Sequence, residues 1–171
     1  MMKPYKISTV ILATLMAFTS LLSCSDNNEQ TKLIHQAVVM ESADECHLCG
    51  MLITRFDGPK GELFRKETGE QVLKFCSTSD MFSYYLDAEN KRNVARMFVH
   101  DMSKMPWGSE SIDDKYFMDA KAAHYVAGSK KMGAMGKTLA SFSKLSDAQA
   151  FAKTFGGQVI TFKEITLDHL M

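Results

Sequence analysis

The sequence predicts an α+β fold: two related ββαβ units around an antiparallel sheet, behind a cleaved leader. Three observations carry this. The chain resembles itself under one constant shift, which aligns Phe75 with Phe142, Ser79 with Ser146, Asp80 with Asp147 and Tyr84 with Phe151. In each half the local signals run in one order: strand, helix cap, amphipathic helix, strand. Finally, the segment from Met1 to Ser23 has the anatomy of a secretory signal and leaves the mature chain.

The leader comes first. Lys3 and Lys6 form a short positive region, an apolar stretch runs from Ile7 to Leu22, and no acidic residue precedes Asp26. The stretch is diluted by Ser and Thr and is short for a transmembrane span, which needs about 20 predominantly apolar residues. Leu21-Leu22-Ser23-Cys24 resembles the lipobox of bacterial lipoproteins. That resemblance implies cleavage before Cys24, lipidation of its thiol and anchoring on the periplasmic face of a membrane, where multiple acyl chains hold firmly. The organisation is then signal peptide 1–23, lipidated Cys and flexible polar tether 24–34, and one metal-binding domain 35–171. Without the leader roughly 150 residues remain, enough for one domain with a proper core. They carry 18 basic and 20 acidic residues, so no electrostatic case for nucleic acid arises.

Each element follows from local pattern. Gln36–Met40 reads as a first strand. Asp44–Met51 (DECHLCGM) falls on a turn, where Gly50 permits unusual backbone angles. Leu52–Thr54 begins a short extended piece. Gly61–Lys66 and Gln71–Cys76 form a hairpin across Thr68-Gly69. Ser77-Thr78-Ser79 caps a helix whose apolar face is Met81, Phe82, Tyr85 and Leu86, and which ends over Asn90–Asn93. Val94–His100 is a strand and Met105–Gly108 a loop. Ala122–Ala127 is a strand or short helix, Gly128–Gly136 a Gly-rich loop, and Thr138–Phe142 a strand. Ser146 with Gln149 predicts a capping box for a helix through Phe155, stopped by Gly156-Gly157. Gln158–Lys163 is the last strand, and Ile165–Met171 a short terminal helix.

The chemistry concentrates in DECHLCGM. Cys46, His47, Cys49 and Met51 place two thiols, an imidazole and a thioether within one short turn. Thiolates and thioethers are soft ligands that favour Cu(I) over Mg, Ca or Mn. A CxxC pair also suits a redox dithiol, although Glu45 replaces the usual preceding aromatic and Gly50 weakens a helical start. It also suits half of a zinc site, although Cys76 is the only further cysteine after Cys24 is lipidated. Cys76 itself reads as a small buried hydrophobe, and Asp80 as a cap residue. Met132 and Met135 differ from the other methionines of the mature chain because they lie in a Gly-rich loop. Their reading as packing or as ligands stays open, as it does for His47, His100 and His124. No Ser-His-Asp signature, phosphate loop or catalytic carboxylate pair is present, so nothing here predicts an enzyme.

Taken together, Cys49-Gly50-Met51, the stretch Phe75–Tyr85 (FCSTSDMFSYY), Tyr125–Gly136 (YVAGSKKMGAMG) and the segment Leu139–Phe162 resemble the NosL family of accessory lipoproteins. The resemblance implies a Cu(I) chaperone rather than an enzyme. It would deliver copper for assembly of the copper–sulfur centre of nitrous oxide reductase, with the reductase or its membrane maturation complex as partner. It implies two ββαβ units akin to organomercurial lyase. It also implies Cys49 and Met51 as core ligands and Met135 as the third, with His47 or His124 completing the set. The alternative from another class is an extracytoplasmic thiol-disulfide oxidoreductase using Cys46 and Cys49.

Overall fold

The computed structural model describes residues 36–66, 71–109 and 114–171. Cys24, the tether and the Thr68-Gly69 turn therefore lie outside the described residues. The fold is mixed, with antiparallel sheets and few helices. Strands β1 (Gly61–Arg65) and β2 (Val72–Phe75) form the predicted hairpin, with Gly61 opposite Phe75 and Phe64 opposite Val72. Helix α1 (Thr78–Leu86) follows, then α2 (Ala88–Arg92) and β3 (Val94–His100). Strand β4 (Phe117–Asp119) pairs with β3 and completes a four-stranded sheet of order β2-β1-β3-β4.

The second half contains β5 (His124–Ala127), the two-residue strands β6 (Met132–Gly133) and β7 (Gly136–Lys137), β8 (Ala140–Phe142), α3 (Leu145–Phe155) and β9 (Gln158–Thr161). Its main sheet has the order β8-β5-β9, and β6 pairs only with β7. The strands thus make two principal sheets and a small hairpin, not one shared sheet. At the seam, Met102 N–H donates to Ser141 O at 2.8 Å, but the Ser141 hydroxyl takes the His100 carbonyl at 2.7 Å. A side chain, not a backbone N–H, thus meets the His100 carbonyl at this seam.

The two halves share a core. Leu63, Phe75 and Val99 of the first sheet pack in one buried cluster with Phe82 of α1 and with Tyr125 and Ile160 of the second sheet. The Phe82 and Tyr125 rings meet edge to face, 5.3 Å between centroids. Tyr125 is fully buried, and its hydroxyl donates to the Ala120 carbonyl at 2.6 Å. A smaller cluster of Val126, Ala140, Phe142 and Ala148 lies under α3. Half-buried Trp107 stacks on Phe151 there, so it packs the fold.

Several expectations are corrected. Residues 36–40 form no strand, because side chains take their backbone groups: Val38 N–H donates to Glu62 and Val39 O accepts from Lys74. Leu52 makes one bridge with Glu45, and Ile53–Arg55 is then a 3-10 turn that buries Ile53. The first helix breaks at Asp87, whose carboxylate caps α2 through the Glu89 and Asn90 N–H groups. Ser146 does not cap α3, which starts two residues earlier, after Lys144; its hydroxyl bonds Asp147 instead. The last strand stops at Thr161, where the Glu164 carboxylate accepts from Thr161 N–H and turns the chain into a 3-10 helix. The terminal helix is a 3-10 turn, Leu167–His169.

Candidate metal centre

The Cys46–Met51 segment is a closed loop lying on β2. Cys46 N–H donates to Met51 O and Gly50 N–H to Cys46 O, both at 2.8 Å. Gly50 takes φ 72°, a left-handed value that closes the turn at little cost without a Cβ. His47 N–H donates to Lys74 O at 2.8 Å, and the Lys74 ammonium meets Asp44 at 2.5 Å. Partial burial works against ionisation of Asp44, but Lys74 and the Glu41 N–H outweigh it and hold its carboxyl below the usual range. These bonds fix Cys46 and Cys49 over the end of β2.

Cys76 sits at that end, between β2 and the cap of α1. Ser77 caps the helix: its hydroxyl accepts from Asp80 N–H at 3.0 Å and donates to Asp80 Oδ2 at 2.9 Å. Cys76 and Asp80 are four apart across the helix start, so their side chains meet, and the thiol donates to Asp80 Oδ2 at 3.0 Å. Cys49 Sγ lies 3.5 Å from Cys76 Sγ. The ligand atoms of Cys46, Cys49, Cys76 and Asp80 all fall within 4.8 Å of one another. Cys46 and Cys76 are buried and Cys49 half-buried, and all three are free thiols.

The protonation states follow from this geometry. A hydrogen bond from Cys76 pulls the Cys46 thiol well below its ordinary pKa. Acting as that donor, and buried beside Asp80, Cys76 is pushed far up. Burial raises Cys49 as well. Cys76 has one proton for two acceptors, Cys46 and Asp80; the Ser77 hydroxyl serves Asp80 in either case. Lys60 is buried nearby and feels Cys76, Asp57 and Asp80; burial brings its ammonium down to about 8.

The structure brings together Cys49 with two cysteines that the sequence reading did not place in the ligand set, and with Asp80. Met51 is half-buried directly after the turn. Met135 stands 64% exposed at the tip of the β6–β7 hairpin, and Met132 is 55% exposed beside it. That hairpin adjoins the cap of α1: a Cβ on Gly133 would lie 3.4 Å from Ser77 Cβ, and Thr138 Oγ1 is 3.0 Å from Thr78 Oγ1. His47 is exposed and packs edge to face on Tyr84 and Phe75, while His124 sits on β5 opposite Phe142 and Thr161. Neither belongs to the cluster of converging ligand atoms. His100 is buried against Phe117. The signal for Cys76 was present in sequence as its place just before the cap, with an acid at i+4.

The NosL family profile matches residues 37–170. The chain belongs to the NosL family. Among curated NosL relatives, the copper-binding lipoprotein NosL of Stutzerimonas stutzeri is 43% identical over 155 residues, 91% of this chain and 78% of that protein. The copper-binding lipoprotein NosL of Achromobacter cycloclastes is 29% identical over 158 residues, covering 92% and 79%. The crystal structure of the copper chaperone NosL from Shewanella denitrificans superposes with a TM-score of 0.74 at 50% identity, over 78% of this chain and 97% of that one.

Proposed function

We propose that this NosL protein is a lipid-anchored Cu(I) carrier on the periplasmic face of the membrane, supplying copper for the copper–sulfur centre of nitrous oxide reductase. The observation that carries the reading is the convergence of three free thiols at the end of β2. Such donors suit a soft monovalent cargo, whereas the hard carboxylate of Asp80 is better placed to hold Cys76 than to bind copper. The names of the relatives agree with copper as cargo. Cys49 and Met51 are the proposed core ligands and Met135 the third, with His47 or His124 completing the set. The hairpin's contact with the α1 cap supports Met135.

Copper passes through unchanged, so the activity is ligand exchange rather than catalysis. An acceptor's sulfur attacks the exposed side of the ion while Cys49 still holds it, and the ion is never free. The acceptor is nitrous oxide reductase or its membrane maturation complex. Anaerobic Cu(I) titration of residues 25–171 against a competing chelator tests the carrier reading. One equivalent binds tightly to the native sequence, and Cys49→Ser abolishes this. Binding indifferent to Cys49 overturns the site.

One observation favours a second reading, a thiol-disulfide oxidoreductase: the Cys49 and Cys76 sulfurs are 3.5 Å apart, beside a Cys46 thiol of lowered pKa. Reduction of a disulfide substrate that needs Cys49 but no copper would establish it. We also propose that the two halves are related ββαβ units, akin to organomercurial lyase. The strand orders β2-β1-β3 and β8-β5-β9 support the repeat, as do helix starts at Thr78 and Leu145, which the same shift superimposes.

A further inference from the structure

The Cys49-Gly50-Met51 turn offers one thiolate and one thioether, yet the fold delivers two more thiols to the same point. Cys46 and Cys76 come from segments that the whole β1–β2 hairpin separates along the chain. Both are buried, and both sit on pinned backbone: Cys46 in the loop bonded to β2, Cys76 between β2 and the helix cap. By the zinc–thiolate bond length of about 2.3 Å, two sulfurs on one ion lie at most about 4.6 Å apart. The 3.5 Å between Cys49 and Cys76 satisfies this, and the 4.8 Å spread of the whole cluster needs shifts of only tenths of an ångström.

We propose that Cys46 and Cys76 complete, with Cys49, a buried three-thiol position that retains copper behind the exposed methionine face, Cys49 being the ligand common to both positions. The inference rests on the Cu(I)-carrier reading and adds where the ion sits at rest. Three thiolates around a monovalent ion leave a buried negative charge, which requires a counter-charge. Lys60 offsets part of it: its side chain is buried, the Phe56 and Asp57 carbonyls hold its ammonium, and it feels the charge at Cys76 and Asp80. In the metal-free protein Asp80, itself held by the Ser77 hydroxyl, accepts from the Cys76 thiol and so positions its sulfur, and copper displaces that proton. Cys49 is half-buried on its glycine turn, and the hairpin that exposes Met132 and Met135 adjoins the α1 cap next to Cys76. A bound ion would also keep two thiols in contact from pairing in an oxidising compartment.

The test is anaerobic Cu(I) competition titration of residues 25–171 as the native sequence, Cys46→Ser and Cys76→Ser. Serine at 76 keeps a hydroxyl donor for Asp80, and circular dichroism of the apo forms separates a lost ligand from a lost fold. Should Cys76→Ser fail to fold, Cys46→Ser carries the same test from the other segment. Each folded variant is expected to bind at least about tenfold more weakly, the lower bound known for groups one step removed from a metal. Sulfur-edge X-ray absorption of each is expected to show fewer copper-bound thiolates than the native form, whether the ion stays or moves to the methionine face. If the native protein binds Cu(I) tightly and both serine variants match it, the buried position is wrong while the carrier reading stands. If the native protein does not bind Cu(I), both fall.

Discussion

Cys49 and Cys76 show how much single residues depend on fold. Cys49 was legible in sequence, because a thiol and a thioether flanking a glycine define a turn with soft donors. Cys76 carried only the weak signal of a helix cap and an acid four residues on, because a complete hairpin separates it from Cys49 along the chain, and strand-end cysteines are usually small hydrophobes. Asp80 was read as a cap residue; the cap is Ser77, and Asp80 lies in the first turn, where its bond to the Cys76 thiol needed the third dimension. His100 was a ligand candidate and has a different consequence. It is fully buried, its Nδ1 accepts from Lys60 N–H at 3.3 Å, and burial together with Lys60 lowers its pKa from 6.5 to about 3. Between these values the unfolded chain binds a proton that the native protein refuses. Stability therefore falls as pH drops below about 6.5, by about 1.4 kcal/mol per unit. Taking the protein from pH 7 to pH 5 removes about 2 kcal/mol through this one group. Urea unfolding at the two pH values, compared with His100→Asn, measures it. The variant flattens the dependence, and equal slopes for the two proteins would refute the assignment.

Elements were legible where periodicity and caps agreed. The β1–β2 hairpin, the Ser77 cap and β3 lie where the sequence reading placed them, because alternation, a cap residue and a turn all pointed one way. Strand β4 was not anticipated: so short a segment carries too little pattern, and its pairing with β3 is long-range. The 36–40 segment was misread because an apolar run cannot show that Glu62 and Lys74 will satisfy its backbone. The end of α3 was legible in Gly156-Gly157, but the two glycines differ in kind. Gly156 has φ 78° in open space, whereas a Cβ on Gly157, at φ 99°, would lie 2.5 Å from the Ala127 carbonyl and 3.0 Å from Ser129 N. The helix thus returns to β5 through a contact that only glycine permits. Gly156, at φ 78° and ψ −178°, lies in a region essentially reserved for glycine, so Gly156→Ala costs about 2 kcal/mol. Gly157→Ala adds a backbone clash and costs about 3 kcal/mol. Chemical denaturation of the two variants reads the difference, and equal losses would show that β5 yields easily.

At the scale of the whole molecule, the two sheets meet at Ser141 and share the core around Phe82 and Tyr125, which holds both β2 and the β6–β7 hairpin against the cap of α1. The internal offset pointed to two similar halves; it did not reveal the break between their sheets, where the Ser141 hydroxyl meets the His100 carbonyl. Among the described residues no helix is long and apolar enough to cross a membrane, and the proposed carrier calls for a lipid anchor. The sequence offers one at Cys24. Residues 25–34 span at most about 35 Å however they are arranged, so a lipidated Cys24 confines copper transfer to acceptors close to the membrane. Full-length protein expressed in a bacterium with lipoprotein processing is then expected in the membrane fraction. It should incorporate labelled fatty acid and begin at Cys24 by mass spectrometry. Cys24→Ala removes the acceptor thiol, so the label is lost and the leader is retained. Fatty-acid labelling that persists in this variant would place the anchor on another residue, and a native protein recovered soluble and unlabelled would remove the membrane from the mechanism.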